Sequence, residues 1–161
     1  MMNRRIPLVL AAIALLFTAT YAQKKQTQGK DGSKKPIAYV KPVMDVVIGD
    51  SELNGGTISK TDFDAIAPKG IRIKNPEGAF IEGFSFTYGE RNIYEDSAGN
   101  EKPVTEYLTE YCMGDTLSPI IAHTIGQRTK PGDTAYYDDI HIRMANGKPA
   151  LGKAMKFVIT R

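Results

Sequence analysis

Turn-forming residues recur at short intervals from Val43 to the end of the chain, and they limit every regular element to a short stretch. Gly, Pro, Asn and Asp separate segments that are rich in β-branched and aromatic residues. This spacing leaves little room for long helices and favours strands joined by turns. We therefore expect an α+β domain built mainly on an antiparallel β-sheet of about six strands, with two short helices.

The segments between the turns predict where these elements lie. Ser59 precedes the first predicted helix, which ends before Pro68. Ser118 and Pro119 begin the second, which ends near Gly126. Alternating or β-branched patterns predict the strands. The predicted strands are 43–48, 70–74, 79–88, 104–111, 136–144 and 155–159.

Turn residues predict how two pairs of these strands connect. Residues 75–78 are Asn, Pro, Glu and Gly, which predicts a hairpin between strands 70–74 and 79–88. Asn146 and Gly147 form a hairpin-type turn after strand 136–144, whose apolar and polar residues alternate. We expect the chain to close with strand 155–159 returning from that turn.

The first 22 residues have the organisation of a signal peptide. Arg4 and Arg5 precede an uncharged segment, 6–17, and small residues Thr20 and Ala22 lie three and one positions before a cleavage site. A membrane anchor needs about 20 apolar residues, which is longer than this segment. We expect cleavage after Ala22 and a periplasmic or secreted product without a stable membrane anchor.

Residues 23–39 have the composition of a flexible basic linker. Five Lys and one Asp lie between residues 23 and 35, whereas residues 36–161 carry 14 basic and 17 acidic side chains. The remaining chain is therefore mildly acidic. Nucleic-acid binding needs Lys and Arg clustered on one folded face, so we expect no nucleic acid among the partners.

Patterns for catalysis and metal binding are weak. Cys112 is the single cysteine, and His123 and His141 are the two histidines, at spacings that match no zinc or nucleophile motif. Glu106 and Glu110 fall on one face of a predicted strand, which solvated charges explain more simply. We expect no enzyme activity, no metal and no cofactor. The alternative is a small secreted enzyme whose site combines Cys112, His123 or His141 with a carboxylate.

Tyrosine is the residue type that points most clearly to a contact surface. Tyrosine suits sites where an apolar ring meets a polar partner, but the same rings also fill sheet cores and rims. Both interpretations stay open for six tyrosines. These candidate protein-contact residues are Tyr88, Tyr94, Tyr107, Tyr111, Tyr136 and Tyr137.

Several short motifs resemble the C-terminal domain of the GldM family, the periplasmic shaft proteins of gliding motility and type IX secretion. Residues 47–49 and 55–60 are similar to the opening of that domain, and residues 81–86 to its central strand motif. Residues 132–133 followed by 139–140 resemble the entry to its penultimate strand, and residues 146–147 with 155–159 are similar to its last hairpin. The resemblance extends over residues 40–161.

The resemblance implies a stand-alone exported copy of a module whose family role is non-enzymatic docking to cell-envelope components. Longer family members carry a membrane anchor and further domains, in place of which this sequence has the signal-like segment. We expect a protein-binding module that contacts gliding or type IX secretion components through its tyrosines or an unpaired sheet edge. A self-associating structural envelope protein is a further alternative, because the family implies a homodimer.

Overall fold

The structure, a computed structural model, describes residues 38–161, which form nine strands and two helices. The signal peptide predicted at 1–22 and nearly all of the linker predicted at 23–39 lie outside the described residues. The strands are β1 (Val43–Met44), β2 (Val46–Ile48), β3 (Gly56–Ser59), β4 (Ile71–Ile73), β5 (Phe80–Glu95), β6 (Glu101–Met113), β7 (Thr134–Arg143), β8 (Pro149–Gly152) and β9 (Met155–Thr160). The helices are α1 (Lys60–Ile66), which a 3-10 turn at Ala67–Lys69 follows, and α2 (Pro119–Arg128).

Both helices begin at the predicted serines. The Ser59 hydroxyl accepts a hydrogen bond from the Asp62 amide at 3.1 Å. The Ser118 hydroxyl accepts one from the Ile121 amide at 3.3 Å, and Pro119 opens α2. Each serine thus satisfies an amide that has no partner within its own helix. The prediction of two short helices is confirmed.

Seven strands form one sheet in the order β1-β8-β7-β5-β6, with β9 also beside β7 and β3 beside β9. The β1–β8 and β3–β9 pairs are parallel, and the other neighbours are antiparallel. β2 and β4 form a separate antiparallel pair. The α+β prediction therefore holds in its general form, but the main sheet is mixed and the described residues contain more strands than the six expected.

β7 pairs with two strands in succession on one side, and its side-chain alternation shifts by one residue at Asp139. Residues 134–137 pair with β9, and residues 141–143 pair with β8. Asp139 has a φ of 47°, and the register with β5 shifts at the same point. Core-facing side chains are therefore Ala135 and Tyr137 before the bulge, and Ile140 and Ile142 after it. The uninterrupted alternation predicted for 136–144 is wrong.

Two predictions for the N-terminal part of the domain are wrong. The segment predicted as one strand at 43–48 forms β1 and β2, which lie in different sheets. Every residue of β2 is buried, so this strand needs an interior position and pairs with β4. The predicted hairpin between 70–74 and 79–88 does not form. Glu77 and Gly78, with φ of 40° and 78°, redirect the chain between β4 and β5.

β8 is a strand that the sequence pattern does not indicate. Its composition is Pro, Ala, Leu and Gly, which has little β propensity. Gly152 is required by close packing, because a Cβ there would lie 2.6 Å from Ile140 Cγ2 and 2.9 Å from Val46 Cγ2. The turn at 146–147 therefore leads first into β8, and β9 pairs with the other half of β7.

Aromatic rings fill the core between one face of the main sheet and the helices. The Tyr137 ring centroid lies 5.0 Å from that of Phe86, 5.8 Å from that of Phe84 and 6.1 Å from that of Phe157. Buried side chains of α1 and α2 belong to the same cluster. We call this side of the sheet the core face, and the opposite side, which the helices leave uncovered, the open face.

Candidate functional site

β5 and β6 extend beyond the rest of the main sheet as a two-stranded arm. β7 pairs with β5 only as far as Gly89. β5 and β6 stay paired without a register shift as far as Glu95 and Glu101. Residues 90–95 and 101–106 therefore pair only with each other, and at about 3.4 Å per residue they span about 20 Å. We refer to residues 90–106 as the arm.

Asp133 attaches the base of the arm to the sheet. Its carboxylate is fully buried and accepts hydrogen bonds from the Tyr88 hydroxyl, from the Arg91 amide at 2.8 Å and from the Lys130 amide at 2.9 Å. The Lys130 ammonium also lies 3.1 Å from the Glu90 carboxylate. Hydrogen bonds to a buried carboxylate are among the stronger ones in proteins, so they fix the position of the base of the arm relative to the sheet.

Asp96 organises the turn at the tip of the arm. Its Oδ1 accepts hydrogen bonds from the Ala98 and Asn100 amides, both at 2.9 Å. Its Oδ2 lies 2.9 Å from the Lys102 ammonium. The Lys102 contact and then the bond from the Asn100 amide lower the pKa of Asp96 to about 2, so the carboxylate is ionised at neutral pH.

Two of the six candidate tyrosines are core residues. Tyr137 is fully buried, and Tyr88 is only 4% exposed. Burial raises the pKa of both hydroxyls. Of the two interpretations that the sequence left open, core packing therefore applies to Tyr88 and Tyr137, and neither ring is accessible to a partner.

The other four candidate tyrosines reach the surface. Tyr107 and Tyr111 of β6 are 65% and 49% exposed on the open face. Tyr136 of β7 is half-buried on the same face. Tyr94 lies on the other side of the arm and donates a hydrogen bond to Glu106 Oε1 at 2.7 Å, which raises the pKa of its hydroxyl. Three of the predicted contact residues therefore share one exposed surface.

Two glycines of β5 allow the rings of Tyr107 and Tyr111 to lie against the sheet. A Cβ at Gly83 would be 2.5 Å from Tyr111 Oη, and a Cβ at Gly89 would be 3.1 Å from Tyr107 Cε1. Both rings thus occupy space that a side chain on β5 would otherwise fill. The open face beside β6 is in consequence lined by tyrosine rings.

β6 is the last strand of the sheet on its side. It pairs with β5 along its whole length, and within residues 38–161 no strand pairs with its other side. Proteins commonly protect such edges with proline, lysine or a bulge. Lys102 and Pro103 stand near the tip of the arm, but residues 104–113 contain neither residue type and pair with β5 without a bulge. We call residues 104–113 the β6 edge.

The three residues of the alternative enzyme site lie in different environments. Cys112 is 2% exposed on the core face of β6, and burial raises the pKa of its thiol. His141 is exposed on the open face of β7, and His123 is exposed on α2. The sheet therefore separates the thiol from the His141 imidazole. In the part of the chain that the structure describes, no three His, Cys, Asp or Glu side chains are grouped closely enough to hold a metal ion.

Sequence reasoning missed the arm and the edge position of β6. The predicted strands end at residue 88 and begin at residue 104, whereas β5 continues to Glu95 and β6 starts at Glu101. One signal for an exposed strand is present in residues 104–111, where Tyr and Thr alternate with Glu, Leu and Val. Neither face of such a strand is wholly apolar, which is typical of a strand exposed on both sides.

No protein-family model and no curated protein matches the chain. Among the helices of residues 38–161, none is long and apolar enough to cross a membrane.

Proposed function

We propose that this chain is a non-enzymatic protein-binding module that binds its partner through the β6 edge and the tyrosine rings beside it. One observation carries the proposal: an edge strand without proline, lysine or a bulge in residues 104–113 coincides with large exposed apolar side chains. Tyr107, Leu108, Tyr111 and Met113 are 65%, 42%, 49% and 77% exposed. Exposed to water, such a strand promotes aggregation, whereas a bound partner covers both its unpaired backbone groups and its apolar side chains.

The attachments of the arm suit a binding role. Asp133 holds the base of the arm through three hydrogen bonds, and Asp96 holds its tip. A binding strand that is already ordered loses less conformational entropy when a partner arrives. Backbone hydrogen bonds along the edge provide affinity in this mode of recognition, and the neighbouring side chains provide selectivity.

The proposed place of action is the cell envelope. The signal-like residues 1–22 support a periplasmic or secreted protein. The resemblance of residues 40–161 to the GldM C-terminal domain supports partners among the envelope proteins of gliding motility or type IX secretion. We propose that the module docks on one of these components.

Site-specific photo-cross-linking in intact cells tests this function. p-Benzoylphenylalanine replaces Tyr107 in one variant, and in a matched control it replaces Asn146, which is exposed in the turn between β7 and β8. A tag after Arg161 permits capture, and mass spectrometry identifies the adduct. We expect position 107, and not position 146, to capture an envelope protein of the secretion or gliding apparatus.

Two results would contradict the proposal. Equal adducts from both positions, or none from position 107, would mean that the β6 edge is not the binding element. An adduct formed only with a second copy of this chain would replace the proposal by the self-associating alternative.

A further inference from the structure

We propose that the β6 edge accepts an extended partner segment carrying two basic side chains on either side of an apolar one, all on the same face. The inference rests on the proposed function and names the chemistry of the partner segment. The segment joins the main sheet as an additional antiparallel strand, so its backbone bonds to β6 while its alternate side chains meet the two faces.

The hairpin determines which backbone groups of β6 are free. The Asp96 amide donates to the Asn100 carbonyl at 2.9 Å, which makes these residues a hydrogen-bonded pair. Such pairs alternate in an antiparallel hairpin, so even-numbered residues of β6 bond to β5 and odd-numbered residues face outward. Pro103 fits this phase, because its missing amide is on the outward side. The outward amides and carbonyls of the β6 edge belong to Thr105, Tyr107, Thr109, Tyr111 and Met113.

β5 supports the same phase independently. The Arg91 amide, at an odd-numbered position, points away from β6 and donates to Asp133 at 2.8 Å. At the other end of the hairpin, the Gly114 amide donates to the Glu82 carbonyl at 2.9 Å, which again joins even-numbered positions of the two strands. The backbone groups of the β6 edge are therefore available in the regular spacing that an added strand needs.

The side chains of the even-numbered residues of β6 determine what an added strand contacts on its core-face side. Glu106, Leu108 and Glu110 follow one another there. Leu108 borders a cleft of about 210 Å³ together with Thr124 of α2. An added strand thus meets the Glu106 carboxylate, the apolar Leu108 side chain and the Glu110 carboxylate at intervals of two residues.

The two carboxylates lack a basic partner within residues 38–161. Glu106 accepts hydrogen bonds from the Tyr94 hydroxyl at 2.7 Å and from the Asn92 side-chain amide at 3.0 Å, and no Lys or Arg pairs with it or with Glu110. The basic side chains of the arm and of the end of α2 pair with other acids: Lys102 with Asp96, and Arg128 and Lys130 with Glu90. A basic side chain of a partner opposite each carboxylate supplies the missing charge.

Charge also favours a foreign strand over a second copy of β6. Each β6 strand carries Glu101, Glu106 and Glu110 against one lysine, Lys102, and that lysine already pairs with Asp96. Pairing two such strands adds repulsion between like charges along the new ladder. The complementary occupant is therefore an extended segment of another protein, with Lys or Arg at two positions four residues apart.

A matched pair of peptides tests the charge requirement. Ac-VKTVTKV-NH2 places lysines at positions 2 and 6 and valine at position 4 on one face, and Ac-VETVTEV-NH2 carries glutamate in place of both lysines. We expect the purified protein to bind the lysine peptide roughly tenfold more tightly in isothermal titration calorimetry, with the difference shrinking as salt is raised. N-methylation at positions 3 and 5, whose amides face β6, removes binding, and N-methylation at positions 2 and 6 preserves it.

Two variants of β6 test the site. Thr109→Pro replaces an outward amide by a ring, as Pro103 already does nearer the tip, and so blocks strand addition. Thr109→Ala is its matched control, because both changes remove the hydroxyl that lies 2.9 Å from Thr87 Oγ1. The double variant Glu106→Gln with Glu110→Gln keeps the edge and removes its charge. We expect Thr109→Pro to lose the lysine peptide, Thr109→Ala to keep it within about twofold, and the double variant to weaken it about tenfold.

The outcomes separate this inference from the function on which it rests. Equal binding of both peptides would overturn the inference, as would full binding by folded Thr109→Pro protein or by the peptide methylated at positions 3 and 5. If Thr109→Pro loses the cross-linked partner and the double Gln variant keeps it, the protein-binding function stands. The proposal that the partner segment is basic is then refuted. Self-association of the purified protein that Thr109→Pro abolishes would assign the edge to a second copy and overturn the inference as well.

Discussion

Replacing Tyr88 by Phe removes a hydroxyl from the base of the arm, and replacing Tyr137 by Phe removes one from the centre of the core. Both tyrosines are buried on the core face of the same sheet, but only the Tyr88 hydroxyl donates to a carboxylate, that of Asp133. The buried Tyr137 hydroxyl has no hydrogen-bond partner among the described residues. We expect the first substitution to destabilise the protein and the second to leave its stability nearly unchanged.

The expected magnitudes follow from these contacts. A hydrogen bond to a charged group contributes about 1.5–3 kcal/mol, and Tyr88→Phe leaves Asp133 with only its two backbone donors, so we expect a loss of about 2 kcal/mol. Tyr137→Phe keeps the ring contacts with Phe84, Phe86 and Phe157 and removes a buried hydroxyl that has no hydrogen-bond partner among the described residues, so we expect no loss of stability.

Urea unfolding at pH 7 measures both effects. With a slope of about 2 kcal/mol per molar urea, the loss in Tyr88→Phe lowers the midpoint by about 1 M, whereas the midpoint of Tyr137→Phe stays near that of the parent protein. Faster amide exchange at Arg91 in the Tyr88→Phe variant would place the loss at the base of the arm. Equal losses in the two variants, or a loss below about 0.5 kcal/mol in Tyr88→Phe, would refute the role assigned to Asp133.

Three further predictions concern the glycines of β5, the buried thiol and the tip of the arm. Gly83→Ala should lower stability by about 1–3 kcal/mol, because its Cβ would lie 2.8 Å from the Cys112 carbonyl oxygen. The Cβ of Gly89→Ala would meet only side-chain atoms, so this variant should lose less than about 1 kcal/mol. Thermal unfolding of the two variants checks this, and equal losses would contradict it. Cys112 should react with a thiol reagent such as DTNB only after unfolding, since the thiol is buried and its pKa is raised; rapid labelling of the native protein would contradict its position in the core. Folding lowers the pKa of Asp96 from 3.8 to about 2. The contacts of its carboxylate therefore stabilise the tip above about pH 4 and weaken as the pH falls toward 2. An NMR titration of the Asp96 carboxyl with a midpoint near 4 would contradict this.

Elements that depend on neighbouring residues were predictable from the sequence. The caps of α1 and α2 are such elements, since Ser59 and Ser118 bond to amides three residues away. Strand pairing between distant segments was not. Val43 pairs with Leu151 in a parallel ladder, and a local pattern carries no information about a partner more than 100 residues away.

The bulge in β7 leaves a trace in the sequence that a search for simple alternation overlooks. Apolar residues occupy odd positions up to Tyr137 and even positions from Ile140 onward. A change of phase within one strand indicates an extra residue, and Asp139 is that residue. A test for such phase changes would have divided this strand correctly.

The candidate site was predictable only in part, because strand order decides which tyrosines are accessible. Tyr88 and Tyr107 lie on adjacent strands, yet Tyr88 faces the core and Tyr107 the solvent. The alternation along each strand fixes only which residues share a face. It does not tell that β6 ends the sheet, and the exposure of Tyr107 and Tyr111 follows from that position.

Amide hydrogen exchange along β6, with and without the lysine peptide Ac-VKTVTKV-NH2, tests most directly the claim that this edge accepts a strand. In the free protein we expect fast exchange at Thr105, Tyr107, Thr109 and Tyr111, and slow exchange at the even-numbered residues between them, whose amides bond to β5. Saturating peptide should protect those four amides and leave their even-numbered neighbours unchanged. Exchange at the four amides that stays as fast with the bound peptide as without it would contradict the account.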